Sequence, residues 1–285
     1  MNDSQNRPVS SQALPKARGW SKRLRHYRRD FAWRRGFNPP RPGSLPEGRA
    51  DPACPDLAVA AIAISRKYAD WCLTMLASLR DNGKYRGPVY VVTNRPEMFA
   101  AEDNVFCIEV PYSRVRLISK SLKPMLFEWL AQRYVAYIDA DVIVTGAIAP
   151  WYVRARKRLA AVSSPLLTYE ASNPVPGSFH GGLLFAERER ALPFLRTWLA
   201  MLRSGRYLSD QVALRRVARA ATPAYYDDHG FSYLYRLLDH ERDDIPTFVH
   251  ITDRMIQDHP PDALRAYLAD VLGVARLPQH FGRPS

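Results

Sequence analysis

The hydrophobic positions of the chain form short runs of strand length, separated by stretches whose apolar residues recur every three or four positions. A continuous apolar run is typical of a buried strand, and the longer spacing is typical of a helix with one buried face. Strands are predicted at Leu57–Ile64, Pro88–Thr93, Val105–Val110, Tyr134–Ile138, Leu159–Ser163, Phe179–Phe185 and Phe248–Ile251. Helices are predicted at Tyr68–Leu79, Ser119–Gln132, Arg188–Arg203, Ser209–Ala220 and Asp262–Leu272. Their alternation predicts an α/β fold with a mostly parallel central sheet flanked by helices.

The N-terminal part of the chain has a different pattern. Residues 1–17 are polar and are expected to be disordered. Within 18–37, four apolar side chains recur at the spacing of one helical face and predict an amphipathic helix: Trp20, Leu24, Tyr27 and Phe31. A Pro-rich segment ends this pattern and continues as a linker up to Pro55. We therefore expect a basic, largely disordered arm over 1–54 and one domain over 55–285.

Most of the net charge of +13 belongs to this arm. Residues 1–50 hold twelve Lys and Arg against three Asp and Glu, a net charge of +9, which leaves +4 for the rest of the chain. Because the domain is nearly balanced in charge and has no nucleic-acid-binding motif, we expect no nucleic-acid partner. Arginines beside aromatic side chains on one helix suit an anionic membrane surface, so 18–37 is the candidate contact with such a surface.

Cysteine usage and hydropathy favour a cytoplasmic protein. The three cysteines, Cys54, Cys72 and Cys107, match neither a disulfide framework nor a metal-ligand spacing. No apolar stretch reaches the ~20 residues that span a bilayer, and the N-terminus lacks the apolar core of a secretory signal. We expect a cytoplasmic location, with peripheral attachment at the inner face of the membrane.

Two carboxylates one residue apart follow the predicted strand Tyr134–Ile138. In open α/β sheets the ligand crevice lies at the carboxyl ends of the strands, where Asp139 and Asp141 are expected. Residues i and i+2 of an extended chain point the same way, so both carboxylates can face one point. Two carboxylates so close repel each other unless a cation lies between them. A hard divalent cation suits these oxygen ligands, and such a cation usually binds substrate phosphates as well. The plainer interpretation is a strand-end loop with two solvated aspartates.

Three further segments and one late histidine accompany this D-x-D pair. Ala63–Ala69 precedes it in the chain, and Phe179–Phe185, Leu208–Gln211 and His250 follow it in that order. With them, the chain from residue 57 to about 252 resembles the retaining GT-A nucleotide-sugar glycosyltransferases, the type that includes glycogenin and bacterial lipopolysaccharide galactosyltransferases. The resemblance implies the Rossmann-like GT-A nucleotide-diphospho-sugar transferase fold. It also implies a hexosyltransferase-like enzyme that retains anomeric configuration and acts on a glycan or lipid-linked acceptor.

The resemblance implies roles for single residues. Asp139, Asp141 and His250 would hold Mn²⁺ or Mg²⁺, and Asp210 and Gln211 would lie at the reacting carbon. The nucleotide-sugar donor, a UDP-sugar by this resemblance, would contact the remaining positions: Ser65, Tyr68, Ala140, His180, Gly181 and Gly182. Lys123 is a further candidate donor contact, because the helix that carries it leads into the D-x-D strand and puts phosphate or ribose within its reach. A metal ion at a diphosphate leaving group would supply positive charge where negative charge develops.

Each of these residues also has a purely structural interpretation. Tyr68 can be a core-packing aromatic residue, Lys123 part of a solvated helix face, and Gly181-Gly182 a turn or bulge. Asp210 can cap a helix, and His250 can be a strand-end histidine.

The chain departs from the family pattern at two places. Where His180 stands the family usually has asparagine, which puts the contact to the donor hydroxyls in doubt. After the late histidine the family has a glycine and then a phosphate-binding lysine, whereas here Ile251 follows and Arg254 is the candidate substitute. These departures indicate a divergent relative.

Three other classes of protein share part of this pattern. A haloacid-dehalogenase-like phosphatase also uses D-x-D after a strand, with the first Asp as nucleophile, but that motif normally follows the first core strand. A nucleic-acid-binding protein would rely on the basic arm alone. A Rossmann oxidoreductase is disfavoured because no G-x-G-x-x-G follows Ile64. A metal-dependent glycosyltransferase is therefore the preferred hypothesis.

Overall fold

The protein is described from a computed structural model. The structure describes residues 37, 39–111, 116–162, 164–170, 179–204, 209–218, 224–225, 230–239, 244–251, 259–278 and 281. The predicted amphipathic helix therefore lies outside the described residues, except for its last position.

A seven-stranded mixed sheet forms the centre of the described chain, in the order β3-β2-β1-β4-β7-β6-β8. Its first four members, β3 to β4 in that order, run parallel, and β7 pairs antiparallel with β4. The strands are β1 (Leu57–Ala63), β2 (Val89–Thr93), β3 (Val105–Glu109), β4 (Tyr134–Ile138), β6 (Leu167–Glu170), β7 (Phe179–Glu187) and β8 (Ala224–Tyr225). A smaller sheet in the order β5-β10-β9 consists of β5 (Val142–Val144), β9 (Phe231–Tyr233) and β10 (Phe248–His250).

Helices connect these strands. They are α1 (Arg66–Asp81), α2 (Arg116–Trp129), α3 (Ile148–Ala161), α4 (Arg188–Arg203), α5 (Asp210–Ala218), α6 (Leu234–Leu238) and α7 (Pro261–Ala266). A short 3₁₀ turn spans Pro96–Phe99, and a π-helical turn spans Tyr267–Val271. Among the described residues, no helix is both long enough and apolar enough to cross a membrane.

The three adjacent strands β2, β1 and β4 are buried on both faces, and nearly all of their residues are apolar. All seven residues of β1 are buried. Leu57, Val59 and Ala61 pack with α1 and α3 on one face, while Ala58 and Ala60 pack with α2, α4 and α5 on the other. This arrangement explains why β1 has a continuous hydrophobic run rather than an alternating one.

Residues 39–54, which the sequence pattern assigns to the arm, lie against the domain. The hydroxyl of Tyr90 donates a hydrogen bond to the carbonyl of Pro46 at 2.5 Å. The ring of Phe37 packs edge-on against Trp129 with 5.8 Å between centroids. Cys54 is buried, and its backbone forms an isolated β-bridge with that of Asp51.

The strand predicted at Leu159–Ser163 is wrong. Leu159 belongs to α3, whose buried residues Ile148, Trp151, Tyr152, Ala155 and Leu159 keep the helical spacing to its last turn. Val162 is the residue at which this helix ends. The strand that fills this place in the sheet is β6, a few residues later.

The candidate donor and metal site

A tight turn brings the two D-x-D carboxylates together. β4 ends at Ile138 and β5 begins at Val142, and the Val142 amide donates to the Asp139 carbonyl at 3.1 Å. The chain thus reverses over the motif instead of running extended through it. Ala140 lies 3% exposed inside the core, so it offers the site only its backbone.

Pairing of two short strands delivers His250 to this turn. β10 runs antiparallel to β5 with His250 opposite Val142, and the Ile251 amide donates to the Asp141 carbonyl at 2.8 Å. His250 Nε2 then lies 3.1 Å from Asp141 Oδ1. One ligand atom each from Asp139, Asp141 and His250 lies within 4.8 Å of the others.

This donor set fits a divalent cation. Two carboxylate oxygens and one imidazole nitrogen are ligands that Mn²⁺ accepts, and the oxygens also suit Mg²⁺. Asp139, Asp141 and the nearby Asp210 contribute three negative charges against the two ammonium groups of Lys120 and Lys123. With neutral His250, one negative charge remains uncompensated among these side chains.

His250 and Asp141 shift each other's pKa. Burial by itself lowers the pKa of His250, but the charge and hydrogen bond of Asp141 outweigh it and raise that pKa above its usual value. Burial by itself raises the pKa of Asp141, and His250 reverses this, so the pKa of Asp141 lies below its usual range. Asp141 therefore favours the protonated form of His250, and His250 favours the ionised form of Asp141.

His180 lies behind His250 and is only 1% exposed. Its Nε2 is 3.2 Å from Nδ1 of His250, and the amide of Gly182 donates to its Nδ1 at 3.2 Å. Its ring packs on Phe231, with 4.5 Å between centroids. Burial lowers the pKa of His180 well below its usual value, so the imidazole is neutral. The structure thus places His180 against a candidate metal ligand.

Lys123 links the D-x-D turn to Asp210. Its ammonium nitrogen lies 3.0 Å from Asp139 Oδ1 and 2.9 Å from Asp210 Oδ2, and it donates to the Gly181 carbonyl at 2.9 Å. Burial lowers the pKa of Lys123, but the two carboxylates more than offset this and raise it above its usual value. All three N–H donors of the ammonium group therefore have protein partners.

Asp210 begins α5 beside the glycines of β7. Its Oδ1 lies 3.2 Å from the Lys120 ammonium nitrogen, and its side chain is almost fully buried. Burial opposes ionisation, but Lys123 and Lys120 outweigh it and hold the pKa of Asp210 far below its usual range. A Cβ built on Gly181 would lie 3.2 Å from Asp210 Oδ2 and 3.5 Å from Gln211 Cγ, so both side chains sit directly over this glycine.

Ser65 and Tyr68 lie at the same edge of the sheet, just after β1. Since β1 and β4 are parallel neighbours, their carboxyl ends face the same side. Ser65 has a left-handed φ of 92°, and its amide donates to Asn94 Oδ1 at 2.8 Å. Tyr68, in the first turn of α1, is 47% exposed. Neither side chain belongs to the metal-binding group, and both follow β1, the strand next to β4.

Sequence reasoning missed two residues of this region. The Tyr137 hydroxyl donates to Asp139 Oδ1 at 2.5 Å, and its ring lies 5.0 Å from the Lys123 ammonium nitrogen. Its position two residues before Asp139 was an available signal, because i and i+2 share one face of a strand. Asn94 follows β2 and holds Ser65, and no local pattern identifies such a contact.

Comparison with solved structures finds proteins of similar fold. No family model matches the chain. No curated protein matches it either. The apo form of the glycosyltransferase GlyE from Streptococcus pneumoniae TIGR4 is similar in structure, with a TM-score of 0.51 and 14% identity, over 68% of this chain and 54% of GlyE. An active-site mutant of LgtC has a TM-score of 0.51 and 12% identity, over 68% of this chain and 86% of LgtC.

At these identities the likeness concerns the fold. This chain spans about half the length of GlyE. The predicted mixed α/β fold of the GT-A type is confirmed by both matches and by the sheet order.

Proposed function

We propose that this protein is a metal-dependent glycosyltransferase that moves a sugar from a nucleotide-sugar donor, a UDP-sugar, to a glycan or lipid-linked acceptor. The convergence of Asp139, Asp141 and His250 at the carboxyl edge of the central sheet carries this proposal. The likeness of the fold to the glycosyltransferases GlyE and LgtC also supports the proposal. The same edge is where α/β sheets bind their ligands.

The three residues would hold Mn²⁺ or Mg²⁺. When bound, the cation would neutralise negative charge on the diphosphate leaving group as the bond to the sugar breaks. Asp141 Oδ1 and His250 Nε2 already face each other at 3.1 Å, so little reorganisation is needed to make both of them ligands. Because Asp141 raises the pKa of His250, a proton competes with the cation for the imidazole as the pH falls.

Asp210 and Gln211 would lie at the reacting carbon, next to the backbone of Gly181. Glycine at that position lets the side chains of Asp210 and Gln211 lie close to the strand. Both oxygens of Asp210 are paired with lysine ammonium groups, Lys120 and Lys123. These pairs lower the nucleophilicity of the carboxylate, so we assign it to binding and orienting the sugar. Retention of configuration, which the family resemblance implies, would then proceed without a covalent intermediate on Asp210.

The other predicted donor contacts belong to the same proposal. The exposed ring of Tyr68 would stack on the nucleotide base, and the strained backbone at Ser65 would lie beside the base or ribose. Strained backbone of this kind is concentrated at functional sites. Gly182 would face the sugar, with His180 behind it.

Donor hydrolysis in the presence and absence of metal tests the proposal. Purified protein should release UDP from a UDP-sugar when Mn²⁺ is present and should lose that activity in EDTA. Asp141→Asn keeps the shape of the side chain but removes a charged ligand, and it should lower the rate roughly 10²-fold or more. Undiminished hydrolysis in EDTA would contradict the proposed role of the metal.

A further inference from the structure

The carboxylate of Asp139 is held on one side only. Its Oδ1 accepts a hydrogen bond from the Tyr137 hydroxyl at 2.5 Å and lies 3.0 Å from the Lys123 ammonium nitrogen. A carboxylate oxygen has two lone-pair directions, so these two donors occupy Oδ1. Among the described residues, none donates to Oδ2. That oxygen lies over Gly182, where a built Cβ would approach it to 2.5 Å.

We propose that Tyr137 is a positioning residue of the metal site, whose hydroxyl fixes Asp139 so that Oδ2 faces the cation. This inference rests on the proposed metal dependence. The torsion that turns an aspartate carboxylate about its last bond is soft, so a side chain without an anchor samples many orientations. A hydrogen bond from a rigid donor removes that freedom and presents one chosen oxygen.

Tyr137 is a rigid donor. It is 1% exposed and lies in the middle of the sheet, opposite Ala60 of β1 and Leu184 of β7. A tyrosine ring in such a position has little rotamer freedom, and its buried hydroxyl needs an acceptor. Asp139 Oδ1 is that acceptor.

Lys123 cannot replace this function. Its ammonium group is shared among Asp139, Asp210 and the Gly181 carbonyl, so removing it changes several parts of the site together. A charge also attracts either carboxylate oxygen almost equally, whereas a directed O–H donor selects one. Tyr137→Phe therefore isolates the orientation of Asp139 from the charge balance of the site.

Metal binding without a donor sugar tests this inference. Full-length protein, freed of metal with EDTA and then dialysed, is titrated with Mn²⁺, and free Mn²⁺ is followed by its electron paramagnetic resonance signal. Tyr137→Phe should raise the Mn²⁺ dissociation constant by about tenfold or more, so that binding is weaker. This is the range seen when groups that orient metal ligands are removed. Introducing 4-aminophenylalanine at position 137 restores an N–H donor and should recover most of the affinity.

Tyr90→Phe is the matched control. Tyr90 is a buried tyrosine on β2, which β1 separates from β4, and its hydroxyl donates to the Pro46 carbonyl at 2.5 Å, away from the metal-binding group. It should bind Mn²⁺ as the wild type does. Thermal unfolding in EDTA verifies that all variants are folded.

Three outcomes overturn the inference, and the last can be told apart from the first two. If the wild type binds Mn²⁺ and Tyr137→Phe binds it within about twofold, Tyr137 does not position the ligand. The same holds if the 4-aminophenylalanine protein stays as weak as the Phe variant. If the wild type itself binds no Mn²⁺, the proposed metal dependence fails and this inference fails with it.

Discussion

His250 Nε2 lies 3.1 Å from Asp141 Oδ1, although 109 residues separate the two positions. The contact follows from backbone pairing, because β10 runs antiparallel to β5 and the Ile251 amide bonds to the Asp141 carbonyl. The smaller sheet therefore acts as the support that completes the candidate metal site.

His250→Ala should weaken Mn²⁺ binding by at least about tenfold, since it removes the nitrogen ligand while leaving both carboxylates. The paired backbone of β5 and β10 needs no His side chain, so the variant should stay folded. Calorimetric titration with Mn²⁺ measures the effect. His259→Ala is the control, because His259 lies 3.9 Å from Asp239, outside the metal-binding group. Equal Mn²⁺ affinity of wild type and His250→Ala would make His250 a structural residue only.

Mn²⁺ affinity should fall as the pH is lowered. His250 has a raised pKa, so a proton occupies the metal-binding nitrogen over a wider pH range than in a free imidazole. Binding must displace this proton, and affinity should drop by about tenfold per pH unit below that pKa. The groups that set this pKa are Asp141 and Asp139, which raise it, and Lys123, which lowers it. A pH-independent dissociation constant between about pH 5.5 and 8 would contradict this.

Stability of the metal-free protein should change with pH in the opposite sense. For a group whose folded pKa is raised, the added stability is present below the unfolded pKa of about 6.5 and is lost as the pH rises through the folded value. The His250–Asp141 ion pair should therefore stabilise the metal-free protein at mildly acidic pH. Metal-free wild type and His250→Ala, compared by denaturant unfolding across that range, should show this contribution only in the wild type.

Much of the fold was predictable because its strands are apolar runs that the sheet buries on both faces. Leu57–Ala63 is the clearest example. The short strands β5 and β9 have three residues each and carry too little pattern to be recognised as parts of a second sheet. Leu159 was misassigned because a helical end and a buried strand look alike over five residues.

The candidate site was predictable where the chemistry is local. Asp139 and Asp141 lie in one group with His250 that could hold a metal ion, and a turn rather than an extended chain brings the two carboxylates together. Their role as metal ligands stays a prediction. The contact between His180 and His250 was not predictable, because it depends on how β7 and β10 approach each other in space. The assigned roles of Asp210, Gln211, Ser65 and the other donor contacts stay predictions.

Gly182→Ala should damage the metal site. A Cβ there would lie 2.5 Å from Asp139 Oδ2 and 2.6 Å from His180 Cε1, so both side chains would have to move. We expect a loss of stability of about 1–3 kcal/mol and weaker Mn²⁺ binding. Gly146→Ala is the control, since its Cβ would meet nothing closer than 3.4 Å. Denaturant unfolding and Mn²⁺ titration of both variants test this, and equal behaviour would show that the site is more adaptable than the structure indicates.

The basic segment 18–37 should attach the protein to anionic membranes. Each basic residue near such a surface contributes about 1 kcal/mol, so several together allow reversible binding. In co-sedimentation, full-length protein should bind anionic but not neutral vesicles. A truncated protein that begins at Phe37 should bind neither. The truncation keeps 39–54, because Pro46 and its neighbours pack on the domain. Equal sedimentation of both proteins, or binding to RNA but not to anionic vesicles, would show that this segment is not a membrane anchor.

The most direct test of the central claim is thermal unfolding of the full-length protein with a panel of nucleotide sugars, with Mn²⁺ or with EDTA. A ligand at about 100 times its dissociation constant adds about 2.7 kcal/mol to the free energy of unfolding. For a protein of this size that corresponds to a rise in Tm of roughly 5 °C or more. We expect at least one nucleotide sugar, a UDP-sugar, to raise the Tm by this amount in the presence of Mn²⁺. The same nucleotide sugar should not raise the Tm in EDTA, nor the Tm of Asp141→Asn. A rise of the same size in EDTA, or no rise with any nucleotide sugar, would contradict a metal-dependent donor site at Asp139, Asp141 and His250.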